Sequence, residues 1–531
     1  MLIGDWRDFL YGMLKEQYSV FALDGLFDVS RTTHEKIICH LTNLILDEDP
    51  THLQYPFSRE IDVPKTPKGA VLAAGVNVVA FALTFVKYTL LYFFYRFVLR
   101  GRSSAAGWPR NADFVFINSA GGVDRLVGIV GELFPREAYR MVYVVTSHIR
   151  KLIERKRKHP NLEFIEPQIP GRNPLRVGLS FLFTKGSGFC FQIFHRLQFR
   201  SRRKRLRIAL KVLNYLYSMV IYHYWASDRA ERLLAEHNAA LFVFDIDEAS
   251  KELMLADALN RRGAATLLLQ HGILTDANRY VPTCRWMACA SERERRALIS
   301  VGVEKNRLVV VGQPLQTLDD SAVREFDHTP RYPLLILAGN GPEWLQNCYL
   351  DMLRQSKHLM RSSGAYVRLH PAFRGKAKRK WTGLDGIRMS DKNESLGQSL
   401  ARSDLVITFS IDALIVSVRQ GCPTICCVPD NYFAPDWHGF LYDLPGVRVA
   451  KTSAMLDEIL GDNKYRNCKK DHFSDLELQN MDYAFGNLDT EKNLMNLFAF
   501  LSKEVDQSSS MGRMSTWENK KSDMGISPKI R

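Results

Sequence analysis

Between Asp113 and Val428 short apolar runs alternate with charged, amphipathic stretches. Continuous apolar runs bounded by turn residues suit strands buried on both faces, whereas apolar positions recurring every three or four residues suit helices. On this basis Asp113 to Leu133 (DFVFINSAGGVDRLVGIVGEL) is a strand, a glycine turn and a helix. Strands are expected at Arg140–Ser147, in the short NLEFIEP segment, at Leu241–Ala249 and at Thr266–Leu269. Helices are expected at Lys251–Arg262 and Ser291–Ser300, and a further strand at Leu308–Val311. A second series opens with Pro333–Ala338 and continues through a helix at Glu343–Arg361 and a strand at Ala365–Leu369. Helix Leu396–Ser403, strand Asp404–Thr408, a helix ending at Gly421 and a last strand at Pro423–Val428 complete it. Strand–helix alternation of this kind predicts an α/β fold of two doubly wound, mostly parallel sheets.

The pattern breaks in four places. Residues 1–110 form a separate N-terminal region whose apolar stretch, 70–99, is long enough to cross a bilayer but carries Asn77, Lys87 and Arg96. Lys87 near its middle costs about 2.5–3.5 kcal/mol on insertion. This stretch is therefore either a membrane-embedded or surface-lying helix, or a buried packing helix. If it spans, the basic residues after it place the C-terminal part in the cytoplasm. No signal-peptide pattern precedes it. The second break is a basic, aromatic insertion at 171–225 inside a first domain of 111–315. The third is the polar stretch 316–331, an inter-domain linker before a second domain of 333–505. The fourth, 506–531, has the composition of a disordered tail.

At 531 residues and 46% apolar content the chain can build two or three cores. Its net charge of +15 suits nucleic acid, anionic lipid or a phosphorylated substrate. Arg200, Arg202, Arg203, Lys204 and Arg205 lie between apolar, aromatic segments. That setting favours an anionic membrane surface, with a solvated helix face as the alternative and nucleic acid as the least expected partner. The nine cysteines lack paired C-x-x-C spacing, so reduced, buried thiols are expected and no structural metal.

Candidate chemistry gathers where strands end. Gln270-His271-Gly272 and Gly312-Gln313-Pro314 close two strands of the first series. Arg368-Leu369-His370-Pro371, Thr408-Phe409-Ser410 and Gly421-Cys422-Pro423 punctuate the second. Gly121 and Gly122 lack a full G-x-G-x-x-G phosphate fingerprint. Asp245, Asp247 and Glu248 end another strand, where acidic residues serve either an acceptor or a helix cap. Open α/β sheets bind ligands at such ends.

The order and spacing of these motifs over Asp113–Asp430 resemble GT-B glycosyltransferases, in particular the CDP-glycerol glycerophosphotransferase and capsule-polysaccharide transferase branch. That branch carries W-H-G, G-Y-P, R-L-H-P, S-D-x-x-I-T with a serine pair, and G-x-P. A His-Pro element is also similar to that of bacterial polysialyltransferases. The chain departs from the pattern at Gln270, in place of Trp, and at Ser410-Ile411-Asp412, in place of the serine pair. Val416 stands where many GT-B enzymes place a ribose-binding glutamate, with Asp412 the nearest acidic residue.

The resemblance implies two Rossmann-like domains facing a cleft. It also implies a metal-independent transferase in surface polysaccharide synthesis, at the cytoplasmic face of the membrane, with no cofactor beyond the activated donor. His271 would be the general base toward a polysaccharide or lipid-linked acceptor, with Gly121, Gly122, Asp245, Asp247 and Glu248 on that side. His370, Pro371, Arg368, Thr408, Ser410 and Asp412 would bind a CMP-, CDP- or UDP-linked sugar or polyol. An imidazole suits proton removal from a hydroxyl, and helix N-termini suit phosphate. Two other readings stay open: a UDP-sugar 2-epimerase-like isomerase, whose H-x-E-x-G run is missing near His271, and a non-catalytic lipid- or RNA-binding protein.

Overall fold

Strands and helices alternate as the apolar pattern requires, and the strands assemble into two separate parallel sheets. The computed structural model describes residues 29–46, 67–94, 114–118, 141–145, 162–164, 202–237, 241–245, 247, 250–269, 281–312, 332–338, 343–361, 364–370, 380–381, 387–391, 394–428 and 446–462, with 11, 176, 493, 496 and 497. In the first sheet the strands are β1 (Phe114–Asn118), β2 (Met141–Val145), β3 (Leu162–Phe164), β4 (Leu241–Phe244), β5 (Ala265–Leu269), β6 (Trp286–Cys289) and β7 (Leu308–Val310). Their order is β3-β2-β1-β4-β5-β6-β7, parallel throughout. The chain reverses its direction of travel across the sheet between β1 and β4, which makes their C-terminal ends the switch point.

Three long helices pack with this sheet. They are α1 (Arg31–Leu46), α2 (Pro67–Phe94) and α3 (Arg202–Glu236), followed by α4 (Ser250–Arg261) and α5 (Glu292–Ser300). Ile208, Val212, Leu216, Met219, Ala226, Ala230 and Leu233 recur at helical spacing along α3 and are all buried. They share one core with Ile37, Leu41 and Ile45 of α1, Val76 and Ala80 of α2, and Phe242 and Phe244 of β4. Residues 208–225, the end of the basic, aromatic insertion expected at 171–225, belong to a core helix that runs on to Glu236. Helices α1 and α2, both within residues 1–110, likewise contribute to the first core. Among the described residues no helix is long and apolar enough to cross a membrane.

Glu252 in the first turn of α4 is buried, and burial pushes its carboxyl up to about 7, against opposing backbone hydrogen bonding and Lys251. A carboxyl raised above its unfolded value of 4.5 favours folding most below that value and loses its contribution as pH climbs through about 7. Wild type should therefore lose roughly 3 kcal/mol relative to Glu252→Gln between pH 4.5 and 8. Urea melts at the two pH values check this, and parallel profiles for the two proteins would refute it.

The second sheet contains β8 (Leu334–Ala338), β9 (Ala365–Leu369), β10 (Arg388–Met389), β11 (Val406–Thr408), β12 (Thr424–Cys427) and β13 (Val447–Ala450). Their order β10-β9-β8-β11-β12-β13 is again parallel, with its switch point between β8 and β11. The helices are α6 (Glu343–Gln355), α7 (Lys357–Arg361), α8 (Leu396–Ala401), α9 (Ile411–Arg419) and α10 (Ser453–Gly461). One face packs Ile336, Val367, Ile407 and Ile425 on Leu350, Leu353 and Leu456. The other packs Leu335, Leu337 and Val406 on Leu400. Helices on both faces explain why β8 and β12 are buried at every position.

Two expectations change here. The helix expected over Glu343–Arg361 is broken at Ser356, where Asp457 of α10 accepts from the Ser356 hydroxyl (2.6 Å) and from the Lys357 and His358 amides (3.0 Å each). A carboxylate so placed caps α7 from a distant part of the chain. The sheet also continues past Val428, through β13 and α10.

Candidate functional site

At the C-terminal edge of the second sheet, Thr408 ends β11 opposite Leu337 of β8 and Cys426 of β12. The Ser410 amide donates to Thr408 Oγ1 (3.1 Å), which tightens the turn into α9. Phe409, between them, stacks on Tyr349 at 3.8 Å and 17°, and on Trp381 at 5.9 Å and 16°. This aromatic stack fixes the turn from the α6 side. Ser410 is the N-cap of α9, with extended backbone (φ −96°, ψ 127°), yet its side chain makes no capping hydrogen bond. The first-turn amides of α9 have no intrahelical acceptor by construction, so the turn concentrates N–H donors at the sheet's switch point.

His370 follows β9 and is exposed, and its amide donates to Ala338 O (3.0 Å). This bond carries the β8–β9 ladder one residue further and sets the imidazole-bearing residue at the same edge as Ser410. The end of β8 lies between them, so their backbones stand about 10 Å apart at ordinary strand spacing. Asp412 is the second residue of α9. Pro371 lies outside the described residues.

Arg368, expected to add charge toward a donor, is engaged elsewhere. Side chains alternate along β9: Ala365 and Val367 enter the core on the α6 face, while Tyr366 packs with the α8 face. Arg368 follows the second set and donates to Ser399 Oγ (2.8 Å), Glu394 O (2.7 Å) and Asp391 O (3.4 Å). Burial lowers its pKa, opposed by the nearby Glu394 charge. Glu394 in turn accepts from Tyr332 Oη (2.8 Å), Ser399 Oγ (3.2 Å) and Arg402 (3.0 Å). This network holds α8 to the sheet.

In the first sheet the expected acceptor-side acids divide. Asp245 is buried beyond β4, its amide donating to Ile117 O (3.3 Å) beside the switch point. Asp247 is also buried but is bound by protein groups: Lys36 Nζ donates to it at 2.6 Å, the Thr283 amide at 2.6 Å and the Cys284 amide at 3.4 Å. Arg307 holds the same segment through the carbonyls of Pro282 (3.0 Å), Cys284 (2.8 Å) and Arg285 (2.9 Å). Asp247 is thus an anchor for the chain leaving the 270–280 segment, and not an open acceptor ligand. Lys36, which makes this possible, carried no signal in a sequence read locally, because 211 residues separate the pair.

His271 follows the last residue of β5 by two positions, and β5 adjoins β4 at the switch point. His271, Gly121, Gly122 and Glu248 lie outside the described residues, as does Arg200. Arg202, Arg203, Lys204 and Arg205 form the first turn of α3. Among the described residues no three His, Cys, Asp or Glu side chains group as a metal site.

No protein-family profile and no curated protein sequence matches the chain. Solved structures do resemble it. A UDP-N-acetylglucosamine 2-epimerase from Rickettsia bellii aligns with TM-score 0.45 and 12% identity over 74% of this chain and 98% of that one. A UDP-GlcNAc 2-epimerase from Neisseria meningitidis, bound to UDP-GlcNAc, gives 0.43 and 10% over 73% and 99%. MurG from Acinetobacter baumannii gives 0.41 and 11% over 75% and 99%.

Proposed function

We propose that the chain is a transferase of the GT-B plan that moves a sugar or polyol phosphate from a nucleotide-activated donor to a hydroxyl acceptor. The observation that carries this reading is the unspent Ser410 side chain at the N-terminus of α9, at the switch point of a Rossmann-ordered sheet, with His370 on the same edge. The α9 amides and His370 would hold the donor's phosphates and stabilise the nucleotide as it leaves. Asp412 puts a negative charge in the same turn, which opposes phosphate and suits a ribose hydroxyl instead.

In the first domain His271 would take the proton from the acceptor hydroxyl as its oxygen bonds to the transferred carbon or phosphorus. The bond to the leaving phosphate breaks, its electron pair goes with the nucleotide, and the proton rests on the imidazole. No cofactor or metal is required by this scheme. The acceptor class is a polysaccharide or lipid-linked hydroxyl compound at the cytoplasmic membrane face, with surface polysaccharide synthesis as the setting.

A thermal-shift panel of CMP, CDP, UDP, GDP and their sugar or polyol conjugates tests the reading. Stabilisation by nucleotides of one base over the others is expected; at 100 times its dissociation constant a ligand adds about 2.7 kcal/mol. No shift with any of them would refute the proposal. Conversion of a UDP-sugar to its 2-epimer without acceptor would replace transfer with the isomerase reading.

A further inference from the structure

Helix α2 has an unusual surface. Val76, Ala80 and Thr84 are buried against α3, as expected of a packed helix. On the neighbouring face Val78, Val79, Leu83, Val86 and Leu90 are 48–64% exposed. At 100° per residue these five fall within one sector of roughly 140° and run for about 18 Å. A helix exposed to water normally carries charges there, and this one presents a continuous aliphatic stripe.

The partner helix shows which end of the stripe is charged. Thr84 Oγ1 donates to Asn214 Oδ1 (2.7 Å) and Phe81 meets the Tyr217 ring edge-on at 5.2 Å, so residue numbers run in opposite directions and the helices are antiparallel. Lys211 and Arg207, one and two turns before Asn214, therefore come alongside the C-terminal part of α2, and both are exposed. Lys87 and Leu206 are exposed at this same end. The first turn of α3, Arg202 to Arg205, lies beyond them.

The sequence around α2 and the first part of α3 contains no acidic residue. From Val63 to Ala112 and from Pro167 to Ser227 there is no acidic residue, while 18 of the chain's 72 Lys and Arg lie there. Removing them from the 72 leaves 54 basic against 57 acidic residues elsewhere. The whole positive excess of the protein thus belongs to the two segments that contain α2 and the start of α3.

We infer that the exposed face of α2 and the basic end of the α2–α3 pair form one docking surface for an anionic phospholipid bilayer. Aliphatic side chains enter the headgroup–acyl boundary while the adjoining cations meet lipid phosphates, with α2 lying in the membrane plane. Lipid fits better than a second copy of the chain, because a self-contact would bring two copies of the same net-positive segments together. The inference is independent of the reaction proposed above.

Co-sedimentation of the full chain tests it, using phosphatidylcholine vesicles with and without about 30% phosphatidylserine. Binding at least about tenfold tighter to the anionic vesicles, weakening with salt, is expected. Leu83→Glu/Leu90→Glu should lower that binding about tenfold or more with an unchanged thermal melt, because both residues are exposed. Arg207→Gln/Lys211→Gln should lower it and flatten the salt dependence. Full vesicle binding by both double variants would overturn the assignment, as would binding that resists alkaline carbonate extraction, the mark of a spanning segment. So would a wild-type dimer in lipid-free sedimentation that Leu83→Glu/Leu90→Glu converts to monomer, or binding to RNA in preference to vesicles.

Discussion

His271→Ala should reduce transfer by about 10²–10⁴-fold while leaving donor-nucleotide affinity within about twofold of wild type. A general base acts on the acceptor's proton in the transition state, so its loss appears in turnover and not in binding of the other substrate. His370→Ala should do the reverse. By removing a donor at the edge of the second sheet it should weaken nucleotide binding about tenfold, as expected for a hydrogen bond to a charged group. Measuring kcat and the nucleotide Kd for both variants separates the roles. Equal loss of binding in both, or full turnover in both, would mean that the two histidines do not divide the reaction as proposed.

Asp247→Ala should destabilise the protein by about 3–5 kcal/mol, because it leaves the Lys36 ammonium buried without a partner. Lys36 and Asp247 have side chains only 2% and 3% exposed and meet at 2.6 Å. The carboxylate also takes the Thr283 amide, so the variant orphans a backbone donor in the same place. In a domain of this size the midpoint should fall by roughly 10 °C. Lys36→Met combined with Asp247→Leu should recover part of the loss, since no charge is then left unpaired. A melt unchanged in Asp247→Ala would show that the pair does not anchor this edge. Because residues 282–285 are clamped by Asp247 and Arg307, the same variant should also lower kcat without changing nucleotide Kd.

These two cases also show what a sequence can and cannot disclose. Strands such as β5, β8 and β9 are legible because full burial demands continuous apolar runs, and because the runs stop abruptly at polar residues. Strand β6 was hidden: Trp286–Cys289 is short, and Arg285 with the charged helix after it masks the run. Helix α1 is hard to read locally because Lys36, His40 and Thr42 interrupt Ile37, Ile38, Leu41 and Ile45, although the period is helical. Thr408, Ser410 and His370 are legible as strand-end polar residues, and the order of the second sheet puts them at one edge. Arg368 and Asp247 satisfy the same pattern but are engaged by Ser399 and Glu394, and by Lys36 and Thr283. Which face a strand residue takes, and which distant cation meets an acid, are decided by packing partners that no local pattern contains.

The claim at the centre is that the C-terminal edge of the second sheet holds an activated nucleotide. Photo-crosslinking with an azido derivative of the nucleotide selected by thermal shift, followed by peptide mapping, tests it most directly. Competable labelling of peptides containing His370 and Ser410, reduced in His370→Ala, is expected. Labelling confined to the first domain, or labelling that unmodified nucleotide fails to displace, would contradict it.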